Sequence, residues 1–230
     1  MRVLPVAKPK KKPPKLERRG FLSFWSDVLF WVFQKVVWLG LLFFFRFRVR
    51  GKVPSVGPLL IASNHTSFLD SIWLGAASSR RIRFLMSDLY GKIFGLRWFF
   101  RWNKVILVPE KGGLRKFMQG SLEALENGSA LGIFPEGWIT RDGNLREFQA
   151  GVIRLAIRSG AKIVPVAIVG GFEAFPRDAF FPRPRKVEVR IGDPILVEDL
   201  LPSGESGPQA LKTAAEALRA KVLGLMEDSG

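Results

Sequence analysis

The stretch Leu59-Leu60-Ile61-Ala62-Ser63-Asn64-His65-Thr66-Ser67-Phe68-Leu69-Asp70 decides both the fold and the chemistry expected of this chain. Its apolar start predicts a strand, and the polar residues that follow predict a turn at the carboxyl end of that strand. His65 is the only histidine in the protein, and Asp70 follows five residues later. A carboxylate that accepts one ring N–H fixes the tautomer of a histidine and leaves its other nitrogen to take a proton from a hydroxyl. The two residues alone leave open a plainer interpretation, in which they are a turn residue and an ordinary acid in the first turn of a helix.

Strand and helix patterns alternate along the rest of the chain. Strands are predicted at 45–51, 59–62, 82–86, 105–108, 130–134, 163–169 and 187–191, and helices at 69–77, 89–100, 114–126, 152–159 and 208–225. This alternation predicts an α/β fold, with a mostly parallel sheet flanked by helices. We predict three regions: a disordered basic tail at 1–20, a membrane-associated helical segment at 21–45 and an α/β domain at 46–230.

Composition narrows the class of partner. The absence of cysteine excludes disulfides and thiolate chemistry, and a single histidine excludes a histidine-rich metal cluster, so no metal site is expected. The net charge of +16 indicates a polyanionic partner, either nucleic acid or an anionic membrane surface. Twenty Phe and seven Trp favour lipid, because aromatic rings bury well at a membrane interface beside Lys and Arg.

The apolar segment 21–45 predicts membrane association. It is long enough to span a bilayer, but Asp27, Gln34 and Lys35 interrupt it, and it lacks the small-residue cleavage site of a signal peptide. Ser23, Ser26, Asp27 and Gln34 fall on one helical stripe. We therefore expect interfacial helices with the aromatic face towards lipid, at the cytoplasmic face of the membrane, with a single span as the alternative.

A second stretch, Phe134-Pro135-Glu136-Gly137, follows another predicted strand. Reactive groups in an open α/β sheet collect at the carboxyl ends of strands, so this stretch is expected near His65. Gly137 would let a ligand approach backbone N–H groups that bind an oxyanion or a phosphate. The residues also fit a plain strand exit with a capping glutamate.

Taken together, these blocks resemble the glycerophospholipid acyltransferase superfamily, which includes the lysophosphatidate acyltransferases. Asn64, His65 and Asp70 match its N-H-x-x-x-x-D block, residues 134–137 match F-P-E-G, and residues 164–166 match a V-P-V-like strand. The resemblance implies a glycerol-3-phosphate acyltransferase-like fold and an enzyme of phospholipid biosynthesis or remodelling. In such an enzyme His65, oriented by Asp70, deprotonates a hydroxyl of a lysophospholipid that attacks the thioester of acyl-CoA or acyl-ACP, without a separate cofactor. The substrate-binding residues expected are Asn64, Lys104, Glu136, Gly137, Thr140 and Arg141.

Two positions depart from the lysophosphatidate acyltransferase pattern. Glu110 and Ile139 stand where that family has arginines thought to hold the acceptor phosphate. In this respect the chain looks more like the acyltransferase domains of 2-acylglycerophosphoethanolamine acyltransferases, so the acceptor stays open. The candidates for a displaced phosphate site are Arg101, Lys104, Lys111 and Arg141. The alternative to an enzyme is a non-catalytic basic domain that binds anionic lipid or nucleic acid; nucleic acid is not expected, because no nucleic-acid-binding motif is visible.

Overall fold

The computed structural model describes residues 21–87, 102–108, 113–202 and 207–228. The predicted tail at 1–20, the helix predicted at 89–100 and the positions of Arg101, Glu110 and Lys111 lie outside these residues. Within them, the strands are β1 (Arg48–Arg50), β2 (Leu59–Ser63), β3 (Ile82–Ser87), β4 (Ile106–Val108), β5 (Ala130–Ile133), β6 (Lys162–Val169) and β7 (Glu188–Ile191). The helices are α1 (Phe21–Phe45), α2 (Asp70–Ala76), α3 (Gly113–Glu126), α4 (Gly151–Ser159), α5 (Gly171–Ala174) and α6 (Pro208–Glu227), with a 3₁₀ turn at Val197–Asp199.

In the described part of the chain, seven strands form one sheet in the order β1-β7-β6-β2-β5-β3-β4. The five strands β2 to β6 run in the same direction, and β7 pairs antiparallel with β6. β1 then pairs parallel with β7 at the edge, so these two strands run against the other five. The predicted mostly parallel sheet flanked by helices is confirmed, as are the strand and helix patterns within the described residues.

Side chains alternate between two apolar layers, one on each face of the sheet. Along β2, Leu60 and Ala62 pack with α4 and α6, whereas Leu59 and Ile61 pack with α1 and α2. Every residue of β2 and β5 is buried, as expected for central strands of a parallel sheet covered on both faces. The hydrophobic runs in the sequence come from this two-sided burial.

Helix α1 is continuous over 25 residues and lies against the α/β domain. Its window Val28–Phe45 is long and apolar enough to cross a bilayer, with a mean hydropathy of 2.0, and it is mostly exposed. Leu41 and Phe45 are buried in the core layer on the α2 side. Gln34 donates through Nε2 to the carbonyl oxygens of Gly75 and Ser78 at 2.7 and 2.6 Å, at the end of α2. Gln34 therefore docks the helix on the domain and does not belong to a water-facing stripe, because its amide binds two carbonyls at the C-terminal end of α2.

Candidate active site

The carboxyl ends of three neighbouring parallel strands meet at one edge of the sheet. Ala62 of β2 lies opposite Ile133 of β5, and Ser63 lies opposite Val166 of β6. The segments that follow these strands carry His65, Glu136 and Gly171 respectively. The sheet order thus brings the two sequence blocks together, as the sequence predicts.

His65 and Asp70 form a hydrogen-bonded pair at this edge. Nδ1 of His65 lies 2.8 Å from Oδ2 of Asp70, and the His65 side chain keeps 20% of its surface exposed. Nε2 has no hydrogen-bond partner among the described residues, so it is the ring nitrogen that is free to accept a proton. The imidazole stacks on the Phe134 ring, with centroids 4.1 Å apart and planes at 12°. The ring is therefore fixed by a carboxylate on one edge and an aromatic face.

The Asp70 carboxylate is fully buried and held by its own turn. Its Oδ2 also accepts hydrogen bonds from the backbone N–H groups of Thr66 (2.6 Å) and Ser67 (2.8 Å), and its Oδ1 accepts from the Thr66 hydroxyl (3.2 Å). These donors compensate the burial of a negative charge and point Oδ2 at His65. Gly171 packs against Thr66 so closely that a Cβ there would collide with the Thr66 hydroxyl. A glycine after β6 thus keeps space for the turn that holds Asp70.

Glu136 supports the histidine from the other strand. Its Oε1 accepts from the backbone N–H of His65 at 2.6 Å, and its Oε2 accepts from the N–H of Arg146 at 3.0 Å. Burial raises the pKa of the Glu136 carboxyl, while the two N–H donors act in the opposite direction. Because both oxygens already accept from the backbone, the geometry assigns Glu136 to positioning His65 more directly than to the predicted contact with substrate.

Asn64 and Gly137, both predicted to bind substrate, use their polar groups in hydrogen bonds within the protein. The Asn64 side chain donates to the carbonyl of Ile168 at 2.9 Å and accepts from its N–H at 2.7 Å, which ties the end of β2 to β6. Gly137 has a φ of 81°, in the left-handed region, and its N–H donates to Phe134 O at 3.0 Å. The glycine is needed for the turn, and its N–H is not open to an anion.

Thr140 is buried beside the histidine, and Arg141 is exposed next to it. The N–H of Thr140 donates to His65 O at 2.9 Å, and its hydroxyl donates to Asp142 at 2.7 Å. Hydrogen bonds from the Thr140 hydroxyl, and then from the Asn144 side chain and N–H, lower the pKa of Asp142 to about 2. A cleft of about 480 Å³ opens here, and its lining includes Trp138, Thr140, Asp142 and the arginines Arg141, Arg146 and Arg177.

Lys104 is not brought to this site. Leu85 of β3 lies opposite Ile106, so Lys104 precedes β4 at about the level of Leu60. Lys104 lies in the turn before the amino end of β4, with a φ of 54°, whereas His65 follows the carboxyl end of β2. Three strand spacings separate β4 from β2, about 14 Å across the sheet. A lysine side chain is too short to share a phosphate with His65 over that separation. The structure therefore does not bring Lys104 and His65 together.

An apolar cavity of about 460 Å³ lies between α1, α2 and β3. Its lining is almost wholly apolar and includes Val37, Leu41, Leu69 and Phe84. Phe84 stacks on Phe134, with centroids 6.2 Å apart, and Phe134 in turn stacks on His65. The cavity is therefore connected to the imidazole through two parallel aromatic rings.

Residues 46–169, more than half of the chain, match the family model described as Acyltransferase. The chain belongs to the acyltransferase family. Curated relatives named 1-acyl-sn-glycerol-3-phosphate acyltransferase include one from Limnanthes douglasii, 25% identical over 158 residues that cover 66% of this chain and 55% of the relative. Another, from Pseudomonas aeruginosa strain PAO1, is 26% identical over 205 residues that cover 86% of this chain and 74% of the relative. The chain spans about half the length of several of the curated relatives it matches.

The solved structure of the 1-acyl-sn-glycerophosphate (LPA) acyltransferase PlsC from Thermotoga maritima has the same fold. The two chains superpose with a TM-score of 0.64 at 23% sequence identity, and the match covers 90% of each. The predicted resemblance to the glycerophospholipid acyltransferase superfamily is thus confirmed.

Within this acyltransferase family member, the departure at Ile139 has a clear structural setting. Ile139, which stands where an arginine was expected, is only 9% exposed. Ile139 still contributes to the lining of the cleft, whose arginines are Arg141, Arg146 and Arg177. Cations are therefore present beside the site, although not at the expected position.

Several residues that build the site are not among those predicted from the sequence. The Thr66 and Ser67 N–H donors could have been found, because two polar residues between a histidine and an acid are typical of a tight turn. Arg177 has no local signal, since it lies 112 residues from His65 and only the fold brings its loop to the cleft. The hydrogen bonds between the Asn64 side chain and the Ile168 backbone likewise depend on the register of β2 and β6.

Proposed function

We propose that this protein moves a fatty acyl group from a thioester carrier, acyl-CoA or acyl-ACP, to the free hydroxyl of a lysophospholipid. The relatives named 1-acyl-sn-glycerol-3-phosphate acyltransferase favour lysophosphatidate as the acceptor. The observation that carries the proposal is the His65–Asp70 pair, with an accessible Nε2 beside an apolar cavity and an arginine-lined cleft. A lysophospholipid has a hydroxyl for His65, an acyl chain for the apolar cavity and a phosphate for the arginine-lined cleft.

In the proposed reaction Nε2 of His65 accepts the proton of the acceptor hydroxyl as its oxygen attacks the thioester carbonyl carbon. The C–O bond forms, the C–S bond then breaks, and the imidazolium returns the proton to the departing sulfur. The products are the ester and the free thiol of the carrier. Asp70 keeps Nδ1 protonated and stabilises the positive ring between the two proton transfers. No covalent bond to the protein and no separate cofactor is needed.

The apolar cavity is proposed to hold an acyl chain. Its volume of about 460 Å³ falls in the range of small-molecule sites, about 300–1,000 Å³, and Leu69 and Phe84 connect its lining to the turn that carries His65. Helix α1 forms one wall through Phe33, Val37 and Leu41, and its opposite face is exposed and apolar. A chain could enter this cavity from lipid without crossing water. This supports membrane association, which we place at the cytoplasmic face of the membrane.

The cleft with three arginines is proposed to hold the acceptor headgroup. Arg141, Arg146 and Arg177 outnumber the one acid there, Asp142, whose oxygens already accept from Thr140 and Asn144. Guanidinium groups bind phosphate through charge-assisted hydrogen bonds. A phosphate in this cleft would lie next to Thr140, whose N–H is bonded to the backbone of His65.

The proposed reaction is tested with labelled acyl-CoA and acyl-ACP against a panel of lysophosphatidate, lysophosphatidylethanolamine and lysophosphatidylcholine. We expect transfer by the wild type and none above background by His65→Ala. Equal product from both proteins would refute the general base. Because the panel varies donor and acceptor separately, it also identifies the headgroup and the carrier.

The headgroup site is tested by Arg141→Gln and Arg177→Gln, with the exposed Arg158→Gln on α4 as matched control. Loss of a charge-assisted hydrogen bond made equally in ground and transition states raises KM about tenfold with little change in kcat. Arg158→Gln should leave both constants unchanged. Unchanged KM in both cleft variants would place the headgroup elsewhere.

A further inference from the structure

The loop between α5 and β7 presents two adjacent aromatic side chains to the outside. Phe180 is 93% exposed and Phe181 is 80% exposed. Single exposed apolar residues are common on proteins, but two neighbouring phenylalanines at a loop tip are not stabilised by water. The loop backbone is held by hydrogen bonds from Ala179 N to Pro176 O at 3.0 Å and from Arg183 N to Ala174 O at 2.7 Å. The rings are therefore displayed by a defined loop.

The charge around these rings is strongly positive. Residues 176–186 contain one acid, Asp178, and four cations: Arg177, Arg183, Arg185 and Lys186. All four cations are exposed, and Lys186 also pairs with the buried Glu188 at 3.1 Å. Aromatic rings flanked by Arg and Lys are the chemistry of segments that enter the interface of an anionic bilayer.

The same loop adjoins the apolar end of α1. The N–H of Val187, at the end of the loop, donates to Phe45 O at 3.0 Å. Pro182 lines the apolar cavity together with Phe44 and Phe45, and Phe43 next to them is exposed. The phenylalanine tip therefore continues the exposed apolar surface of α1 at one wall of the cavity.

We propose that Phe180 and Phe181 insert into the interface of a bilayer that contains anionic lipid, as a membrane contact separate from α1. Arg183, Arg185 and Lys186 bind the lipid headgroups while the two rings bury among the upper acyl chains. One helix alone leaves the domain free to rotate about it, whereas two contacts fix its orientation. The wall of the cavity that Pro182 shares with Phe44 then faces the lipid.

The absence of cysteine gives a direct test on the full chain, because any single cysteine variant carries one thiol. Phe181→Cys and the matched control Val56→Cys, 79% exposed before the amino end of β2, are each labelled with an environment-sensitive fluorophore. The proteins are reconstituted on phosphatidylcholine vesicles with and without phosphatidylglycerol. We expect the label at 181 to shift to the blue and lose quenching by aqueous iodide on anionic vesicles, while the label at 56 stays fully quenched.

Equal quenching at both positions on anionic vesicles would overturn the proposal. Protection at 181 that grows with the number of protein molecules per vesicle would also overturn it, in favour of a second copy of the chain. Removing Arg183 and Arg185 together, as glutamines, should restore quenching at 181, and Arg158→Gln should not. Protection at 181 that survives loss of both arginines would contradict the role of anionic lipid. Since the fluorescence needs no turnover, these results are independent of whether the proposed acyl transfer is correct.

Discussion

Replacing Asp70 with asparagine should remove a charge from the candidate site while keeping its shape. The Asp70 oxygen that contacts His65 also accepts from the N–H groups of Thr66 and Ser67. An NH₂ group cannot accept a hydrogen bond from these two N–H donors, so the asparagine oxygen should occupy the position of Oδ2. The NH₂ group should then face the Thr66 hydroxyl, which can accept from it. The Nδ1–H of His65 then keeps an acceptor and the correct tautomer. What is lost is the negative charge beside the imidazolium.

The size of that loss follows from the geometry. The closest atoms are 2.8 Å apart, and the charge centres of the ring and carboxylate are about 4 Å apart. Unit charges at about 4 Å in an effective dielectric of about 20 interact by about 4 kcal/mol. This corresponds to about three powers of ten in rate, and the partial exposure of the His65 ring reduces it. We expect Asp70→Asn to lower kcat by about 10²–10³-fold.

The assay is steady-state transfer of labelled acyl groups to the best acceptor of the lysolipid panel, with His65→Ala as background. Asp70→Ala is the structural control, because it also leaves the Thr66 and Ser67 N–H groups without an acceptor and should lower the free energy of unfolding by about 2–4 kcal/mol. Asp70→Asn should lose much less stability than that. A kcat for Asp70→Asn within about threefold of wild type would show that the carboxylate charge does not act on the transition state.

Three further predictions concern neighbouring groups. Asn64→Ala should lower the free energy of unfolding by about 2–4 kcal/mol in denaturant titration, because it leaves the buried N–H and C=O of Ile168 without their hydrogen-bond partner. An unchanged denaturation midpoint would contradict a stabilising role for these two hydrogen bonds. Burial raises the pKa of Glu136 in the folded protein above 4.5. The free energy of unfolding of the wild type should therefore fall relative to that of Glu136→Gln as pH rises from about 4.5 through the raised pKa. The same pH dependence of stability in both proteins would refute the raised pKa. Carbon-detected NMR should titrate Asp142 near pH 2, and Thr140→Val should raise that pKa while Thr140→Ser leaves it low.

The local parts of the site could be predicted from the sequence. The spacing of His65 and Asp70 lies within one strand-to-helix turn, so the pair forms wherever that turn forms. The interpretation of Phe134 to Gly137 as a partner block also needed only a second strand exit on the same edge of a parallel sheet. By contrast, the prediction for Lys104 needed the relative position of β4, which the sequence does not contain.

The amino-acid sequence by itself determined which segments become strands and helices and which polar residues stand at the strand exits, because periodicity and turn chemistry act over a few neighbouring residues. Only the tertiary structure decided the reversed direction of β7 and β1, the docking of Gln34 on α2 and the use of Glu136 to hold the His65 N–H. These features join residues tens of positions apart, and their geometry is set by strand order and register across the whole sheet. Side-chain pattern alone cannot specify that geometry, since the same buried apolar strand fits several places in a sheet.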